Sequence, residues 1–99
     1  MSEKANIESS NEFRIAETQT FQKKLASRLY RKYYPRIKDK IYPVLRKNPF
    51  LGPNIKRLKA ELKGIYRYRI GDYRLFYTID ADKRLVFILD FSHRKDAYS

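Results

Sequence analysis

The segment GIYRYRIGDYRLFY, residues 64–77, constrains the fold of this chain more than any other. Apolar and basic residues alternate on both sides of Gly71-Asp72, a dipeptide position typical of a two-residue hairpin loop. We therefore predict a hairpin with strands at 65–70 and 73–79. The loop length sets the register. The pairs placed opposite each other are Ile70 with Tyr73, Arg69 with Arg74, and Arg67 with Phe76.

This register gathers three arginines, Arg67, Arg69 and Arg74, on one face of the hairpin. Like charges directly opposite each other destabilise a β-ladder. A chain that carries such a pair is therefore expected to bind an anion there. Guanidinium groups bind phosphate and carboxylate groups through paired hydrogen bonds. We interpret the face as an anion site, with the phosphates of a nucleic acid as its natural ligand.

The charge of the whole chain favours the same ligand. The net charge is +12, and residues 21–79 hold seventeen basic but three acidic side chains. Such a field attracts polyanions. A solvated basic surface is the alternative interpretation. A basic membrane-surface helix is disfavoured because the apolar residues are needed for a core, so we expect no membrane partner.

Length and composition narrow the class of protein. Ninety-nine residues suffice for one domain, and we expect a loose tail at 1–11 followed by a single domain at 12–99. The absence of cysteine excludes disulfides and thiolate chemistry. The polar N-terminus lacks the apolar block of a signal peptide, and we expect a cytoplasmic protein.

The apolar pattern predicts an α+β fold with the order β-α-α-β-β-β. A strand at 13–16 precedes a helix capped by Thr18 or Thr20. A second helix begins near Pro35 and is expected to kink or end at Pro43. The buried positions predicted for these two helices are Phe21, Leu25 and Leu29 in the first, and Ile37, Ile41, Val44 and Leu45 in the second.

A last strand at 85–91 completes an antiparallel sheet with both helices on one face. Strand alternation assigns the core face to Tyr66 and Tyr68 on the hairpin, and to two further sets: Leu75, Tyr77 and Ile79, and Leu85, Phe87, Leu89 and Phe91. The arginines then lie on the opposite face, with Asp90 near Arg74. A shift of one residue in the loop at 80–84 would break this alignment.

The C-terminal run Ser92-His93-Arg94-Lys95-Asp96-Ala97-Tyr98 is the second candidate site. His93 is the chain's single histidine and can transfer a proton near neutral pH. Taken alone, it is better interpreted as an ordinary surface histidine. Its position at the end of a strand that neighbours the arginine hairpin, together with Arg94 and Tyr98, favours a functional role.

Several chemistries are excluded by the residues present. The acidic residues are scattered, so no metal site is expected, and no nucleotide fingerprint or nucleophile elbow occurs. We expect no cofactor. Metal-free acid–base chemistry beside concentrated positive charge remains. RNA supplies its own nucleophile, the 2′-hydroxyl, so a base, an acid and cations on the phosphate would suffice for cleavage.

The blocks R-x-G-D-Y-R-L-x-Y and H-R-x-x-x-Y resemble the RelE/ParE superfamily of bacterial toxins, and within it the RelE-type mRNA interferases. The resemblance runs from about Phe13 to Tyr98. It implies a toxin that enters the ribosomal A site, cuts mRNA through 2′-hydroxyl attack without a metal, and is neutralised by a cognate antitoxin. The expected partners are therefore the ribosome, mRNA and an acidic antitoxin with a DNA-binding end.

The resemblance also suggests roles for individual residues. Relatives often carry lysines where this chain has Arg67 and Arg69, and an arginine rarely deprotonates. The hypothesis therefore moves the general base to His93. The remaining assignments are catalysis for Arg69, Arg74 and Tyr98, and substrate binding for Arg67, Arg94 and Phe76.

Two other functions stay open at this point. A ParE-like member of the same superfamily would share the fold but inhibit DNA gyrase. A non-catalytic RNA-binding module would bind RNA without cutting it.

Overall fold

The computed structural model describes residues 12–93, which form a five-stranded sheet with helices packed on one face. The strands are β1 (Arg14–Glu17), β2 (Ile55–Arg57), β3 (Ile65–Ile70), β4 (Tyr73–Asp80) and β5 (Leu85–His93). Their spatial order is β1-β5-β4-β3-β2. The predicted α+β class is confirmed, and the predicted tail at 1–11 lies outside the described residues.

Short helices connect β1 to β2. They are α1 (Gln19–Leu25), α2 (Arg28–Arg31), α3 (Tyr34–Arg36), a π-helical turn (Ile37–Ile41) and α4 (Tyr42–Lys47). Thr18 caps α1, because its Oγ1 accepts a hydrogen bond from the Phe21 amide at 3.3 Å. The predicted burial of Leu29 is wrong. The helix is interrupted at 26–27, and Leu29 lies in the next helix, α2, where it is 51% exposed.

The second predicted helix continues through Pro43 instead of ending there. Proline cannot donate a backbone hydrogen bond and its ring crowds the preceding turn. The π-helical turn immediately before α4 widens the helix at that point. The extra residue also rotates Val44 outward, so its predicted burial is wrong, while Ile37, Ile41 and Leu45 are buried as expected.

The predicted hairpin is confirmed in every pair. Ile70 lies opposite Tyr73, Arg69 opposite Arg74, and Arg67 opposite Phe76. Gly71 has a φ of 57°, a left-handed conformation that glycine adopts without strain. The two-residue loop therefore fixes both the register and the face of each side chain.

The sheet is mixed because one of its pairings is parallel, and two of its pairings were not predicted. β1 runs parallel to β5, with Ile15 opposite Val86, whereas an antiparallel meander was expected. β2 pairs antiparallel with the outer side of β3. Neither pairing depends on a local turn: β1 and β5 lie far apart in sequence, and β2 has three residues of which two are basic.

The predicted core face of β5 is wrong except at Phe91. Ile79 lies opposite Val86, so β5 is shifted by one residue from the expected alignment, in which Ile79 shares a face with Leu85 and Phe87. The loop at 80–84 allows this shift. A β-bulge opposite Phe76/Tyr77 then restores the alternation further along the strand. Val86, Ile88 and Phe91 therefore face the core, and Leu85, Phe87 and Leu89 face the other side.

The core lies between the helices and the sheet. Its fully enclosed side chains include Phe21, Ile37, Leu45, Leu75, Tyr77 and Ile88. Tyr66 and Tyr68 pack against them, as predicted. The buried Tyr77 hydroxyl donates to the Pro49 carbonyl at 2.7 Å, which satisfies both groups. Within residues 12–93, the helices are too short and too polar to cross a membrane.

Candidate functional site

The hairpin presents its arginines on the face of the sheet opposite the helices. Arg67, Arg69, Arg74 and Phe76 share this face, because directly opposed residues in an antiparallel pair point to the same side. We call it the arginine face. The three cations that the sequence predicted to lie together are therefore brought together by the structure.

Arg74 is the distinctive member of this face because it is only 9% exposed. Its Nη1 donates to the carbonyl oxygens of Gly71 at 3.3 Å and Tyr73 at 3.2 Å. Its Nε is buried without a hydrogen-bond partner. Within residues 12–93, no carboxylate forms an ion pair with it. A buried, unpaired cation is costly, so this guanidinium is a fixed and largely desolvated positive charge.

Arg69 complements Arg74 because it is exposed. Its backbone amide donates to the Asn54 carbonyl at 2.9 Å, which anchors the strand while the side chain extends from it. The site thus pairs one fixed guanidinium with one that can adjust to a ligand. An anion bound between the two would relieve their mutual repulsion.

Phe76 lies in an apolar groove next to the arginines. The groove has a volume of about 230 Å³, and Phe76 shares its lining with Leu58, Leu62, Ile65 and Leu89. Asp90 also lines the groove. As expected, it lies on the arginine face beside Arg74, because the ladder pairs Arg74 with Ser92 and Phe76 with Asp90. Its carboxylate forms an ion pair with Lys24 at 3.4 Å.

His93 is the last residue of β5 and lies opposite Tyr73. The two rings meet edge-to-face with centroids 5.0 Å apart. His93 therefore shares the helix-covered face with Tyr73 and Phe91, whereas Arg74 and Ser92 point the other way. The structure brings His93 to the same end of the sheet as the arginines but onto the opposite face. Arg94 and Tyr98 lie outside the described residues.

An aromatic cluster lies beside His93 on that face and contacts it through Tyr73. The Tyr73 ring stacks on Phe91 at 5.2 Å and approaches Tyr33 at 4.5 Å. The neighbouring Tyr33 hydroxyl and burial raise the pKa of Tyr73 to about 12. The raised pKa means that Tyr73 holds its proton more tightly than a free tyrosine, and its ring packs against His93.

A second polar cluster, which the sequence did not reveal, joins β1 to the helices. Glu17 Oε2 accepts hydrogen bonds from the hydroxyls of Tyr34 at 2.6 Å and Tyr42 at 2.8 Å. Burial and the Glu17 carboxylate raise the pKa of Tyr34 to about 12 and also raise that of Tyr42. The two tyrosines would diverge by about 80° on a regular α-helix, and the residue added by the π-helical turn realigns them.

Within residues 12–93, no three His, Cys, Asp or Glu side chains lie close enough together to hold a metal ion. The cations of the arginine face are the groups available to neutralise a phosphate.

The chain is similar in sequence to known toxins. The family described as ParE toxin of type II toxin-antitoxin system, parDE, matches residues 15–98. Toxin RelG of Mycobacterium tuberculosis is 46% identical over 43 residues, which are 43% of this chain and 49% of RelG. The chain thus aligns with about half the length of that curated relative.

Two solved structures share both the fold and some sequence. The toxin-antitoxin complex RelBE2 from Mycobacterium tuberculosis has a chain 29% identical, with a TM-score of 0.71 over 84% of this chain and 99% of that one. A chain of the RelB-RelE complex from Methanococcus jannaschii is 26% identical, with a TM-score of 0.57 over 83% and 93%. With the match over 15–98, these findings show that the chain belongs to the ParE toxin family of type II toxin-antitoxin systems and has the RelE-like fold.

Proposed function

We propose that this toxin is a metal-independent endoribonuclease that cuts mRNA in the ribosomal A site and so inhibits translation. The observation that carries the proposal is Arg74: a buried guanidinium with an unpartnered Nε, beside the exposed Arg69. Desolvated cations attract a phosphate more strongly than solvated ones. The resemblance to RelE-type interferases supplies the reaction that such a phosphate site would serve.

The proposed step is an in-line displacement within the RNA. The 2′-oxygen attacks the adjacent phosphorus, the bond to the 5′-oxygen breaks, and the products are a 2′,3′-cyclic phosphate and a 5′-hydroxyl. His93 takes the 2′-proton, and Tyr98 gives a proton or a hydrogen bond to the leaving oxygen. Arg69 and Arg74 stabilise the charge on the phosphorane, which is worth about 10²–10³-fold per donor in comparable sites.

The remaining predicted residues bind the substrate. Arg67 and Arg94 contact flanking phosphates, and the Phe76 ring offers a surface for a base. Because His93 lies on the face opposite Arg74, the scissile nucleotide has to sit at the end of the sheet where β4 begins and β5 ends, where a strand of RNA can reach both. A substrate lying flat on the arginine face would not reach His93.

The partner that we propose is a cognate antitoxin. The solved relatives are toxin–antitoxin complexes. An acidic antitoxin segment laid over the arginine face would compete with RNA for the same cations, and its other end would bind DNA. We place this pair in the cytoplasm, where the ribosome and mRNA are found.

A cell-free translation reaction tests the function. Purified toxin is added to translating ribosomes with a defined mRNA, and the 5′ ends of the mRNA are mapped. New ends within the A-site codon, insensitive to a metal chelator added after translation has stalled, support the nuclease. Intact mRNA that binds the toxin supports the RNA-binding module instead.

Inhibition of DNA gyrase is the second candidate function, because the matching family is the ParE toxins. A supercoiling assay with purified gyrase separates it from the first. Blocked supercoiling with intact mRNA would establish the second candidate and reject the nuclease.

A further inference from the structure

A basic cleft lies at the end of the β3–β4 hairpin, beside the π-helical turn. Its volume is about 320 Å³. The basic residues among those that line it are Arg36, Lys40 and Arg69. Among the described residues that line it, none is acidic. Three cations with no carboxylate between them make a concentrated positive site that is separate from the buried guanidinium of Arg74.

The two helical cations are placed together by their spacing. Arg36 ends α3 and Lys40 lies within the π-helical turn. Residues four apart on a helix are neighbours on its surface. Both side chains are exposed, so they can close on a ligand that enters the cleft.

The cleft also contains a hydrogen-bonded polar pair that leaves one donor for a ligand. The Tyr68 hydroxyl oxygen accepts a hydrogen bond from Asn54 Nδ2 at 3.4 Å. The hydroxyl proton of Tyr68 is then directed away from Asn54 and can be donated. The Asn54 carbonyl accepts from the Arg69 amide at 2.9 Å, which holds this loop against the strand. The cleft thus offers a positioned neutral donor among three cations.

We propose that this cleft is a second phosphate-binding site for single-stranded RNA, continuous with the arginine face through Arg69. The inference rests on the proposed function and names the path of its substrate. One phosphate lies at Arg69 and Arg74, and a neighbouring phosphate of the same strand lies between Arg36 and Lys40. RNA then bends over the end of the hairpin, which is also the course that a shared contact with His93 requires.

Binding of a single-stranded RNA oligonucleotide at several salt concentrations tests the proposal. The variant R36Q/K40Q removes two charges from the cleft. The control K23Q/R28Q removes two exposed charges from α1 and α2 that do not line it. We expect R36Q/K40Q to weaken binding by on the order of 10-fold at low salt, and to reduce the slope of log K against log salt by about 0.7–1.4. A control that loses as much as R36Q/K40Q in both measurements would overturn the proposal.

Two further measurements separate the cleft from general attraction. Tyr68→Phe keeps the ring but removes the hydroxyl, and we expect several-fold weaker binding with an unchanged salt slope. In NMR titrations, the oligonucleotide should shift the amide signals of Asn54 and Gly71, and it should lose this effect in R36Q/K40Q. If inorganic phosphate saturates the same signals at a similar concentration, the cleft is a site for free phosphate and the RNA proposal fails.

Failure here is distinguishable from failure of the proposed function. If the wild-type protein cuts A-site codons while R36Q/K40Q binds and cuts equally well, the cleft carries no phosphate and the nuclease stands. If the wild-type protein neither binds nor cuts RNA, the proposed function fails first.

Discussion

The two faces of the sheet differ in whether their buried polar side chains have hydrogen-bond partners. On the helix-covered face, the Tyr77 hydroxyl reaches the Pro49 carbonyl, and Tyr34 and Tyr42 share the Glu17 carboxylate. On the arginine face, the buried Arg74 keeps an unpartnered Nε. Within residues 12–93, that nitrogen is the buried side-chain polar atom that lacks a partner.

This difference supports the proposal that Arg74 binds a ligand, whereas the satisfied tyrosine hydroxyls stabilise the fold. A satisfied hydrogen bond contributes modestly to stability, whereas a buried unpaired charge reduces it. Folding alone gives no reason to retain a buried guanidinium whose Nε has no hydrogen-bond partner. The arginine face therefore carries a cost in stability that binding of an anion would offset, in line with the strain and unsatisfied groups found at functional sites.

The largest loss of stability is expected from a substitution in the core on the helix-covered face. Leu75 is fully buried, and Leu75→Ala should lower the free energy of unfolding by about 3 kcal/mol, because it leaves a cavity in the core. Urea denaturation measures it. Arg69→Gln, on the other face and exposed, is the control, and it should change stability by less than about 0.5 kcal/mol. Equal losses would show that the two faces do not differ in this way.

The next effect concerns His93, which the proposal uses in catalysis although it lies with the aromatic cluster. His93→Gln should lower ribosome-dependent cleavage by on the order of 10²-fold, the usual size for loss of an acid–base group. The rate of appearance of A-site 5′ ends measures it. Stability measured on the same sample should stay close to wild type. Cleavage near the wild-type rate would remove His93 from the mechanism and leave it as packing for Tyr73.

A smaller effect tests whether the buried hydroxyls of the helix-covered face are truly satisfied. Tyr77→Phe leaves the Pro49 carbonyl without its donor and should cost about 1–2 kcal/mol of unfolding free energy. Tyr66→Phe removes the hydroxyl from the ring stacked on Tyr77 and is the matched control. We expect it to cost less than about 0.5 kcal/mol. A Tyr77→Phe protein as stable as the control would contradict the role given to this hydrogen bond.

The smallest effect is a dependence on pH. The pKa of Tyr34 is raised from 10.0 to about 12 by burial and by Glu17. Because the folded state holds this proton more tightly than the unfolded chain, the contribution to stability is complete below pH 10 and is lost between pH 10 and 12. Urea denaturation at pH 9 and 11.5 should show the loss, and Tyr34→Phe should reduce it. An undiminished loss in that variant would assign the pH dependence to other groups.

The hairpin could be predicted from the sequence because its determinants are local. Two residues at the loop, 71 and 72, fix the register, and alternation fixes the faces. The strand LVFILDF at 85–91 carries no such signal, since apolar side chains on both faces conceal the bulge. The parallel pairing of β1 and the turn that accommodates Pro43 depend on tertiary packing.

In the candidate site, too, the features set by local sequence could be predicted, and those set by tertiary packing could not. The meeting of Arg69 and Arg74 follows from the hairpin register, but the burial of Arg74 does not, because arginine is rarely buried. The face of His93 was available from the sequence: it is two residues beyond the core residue Phe91 and must point the same way. The cleft around Arg36 and Lys40 needed the fold, since its walls come from a helix and a distant loop.

Arg74→Gln tests most directly whether Arg74 is retained for a phosphate. The variant removes the buried charge and keeps a shorter, uncharged polar side chain. Its cleavage of mRNA on translating ribosomes and its urea denaturation are measured on one preparation. We predict cleavage lower by on the order of 10²-fold or more, with an unfolding free energy equal to or higher than wild type. Wild-type cleavage, or a fold that loses several kcal/mol, would contradict the account.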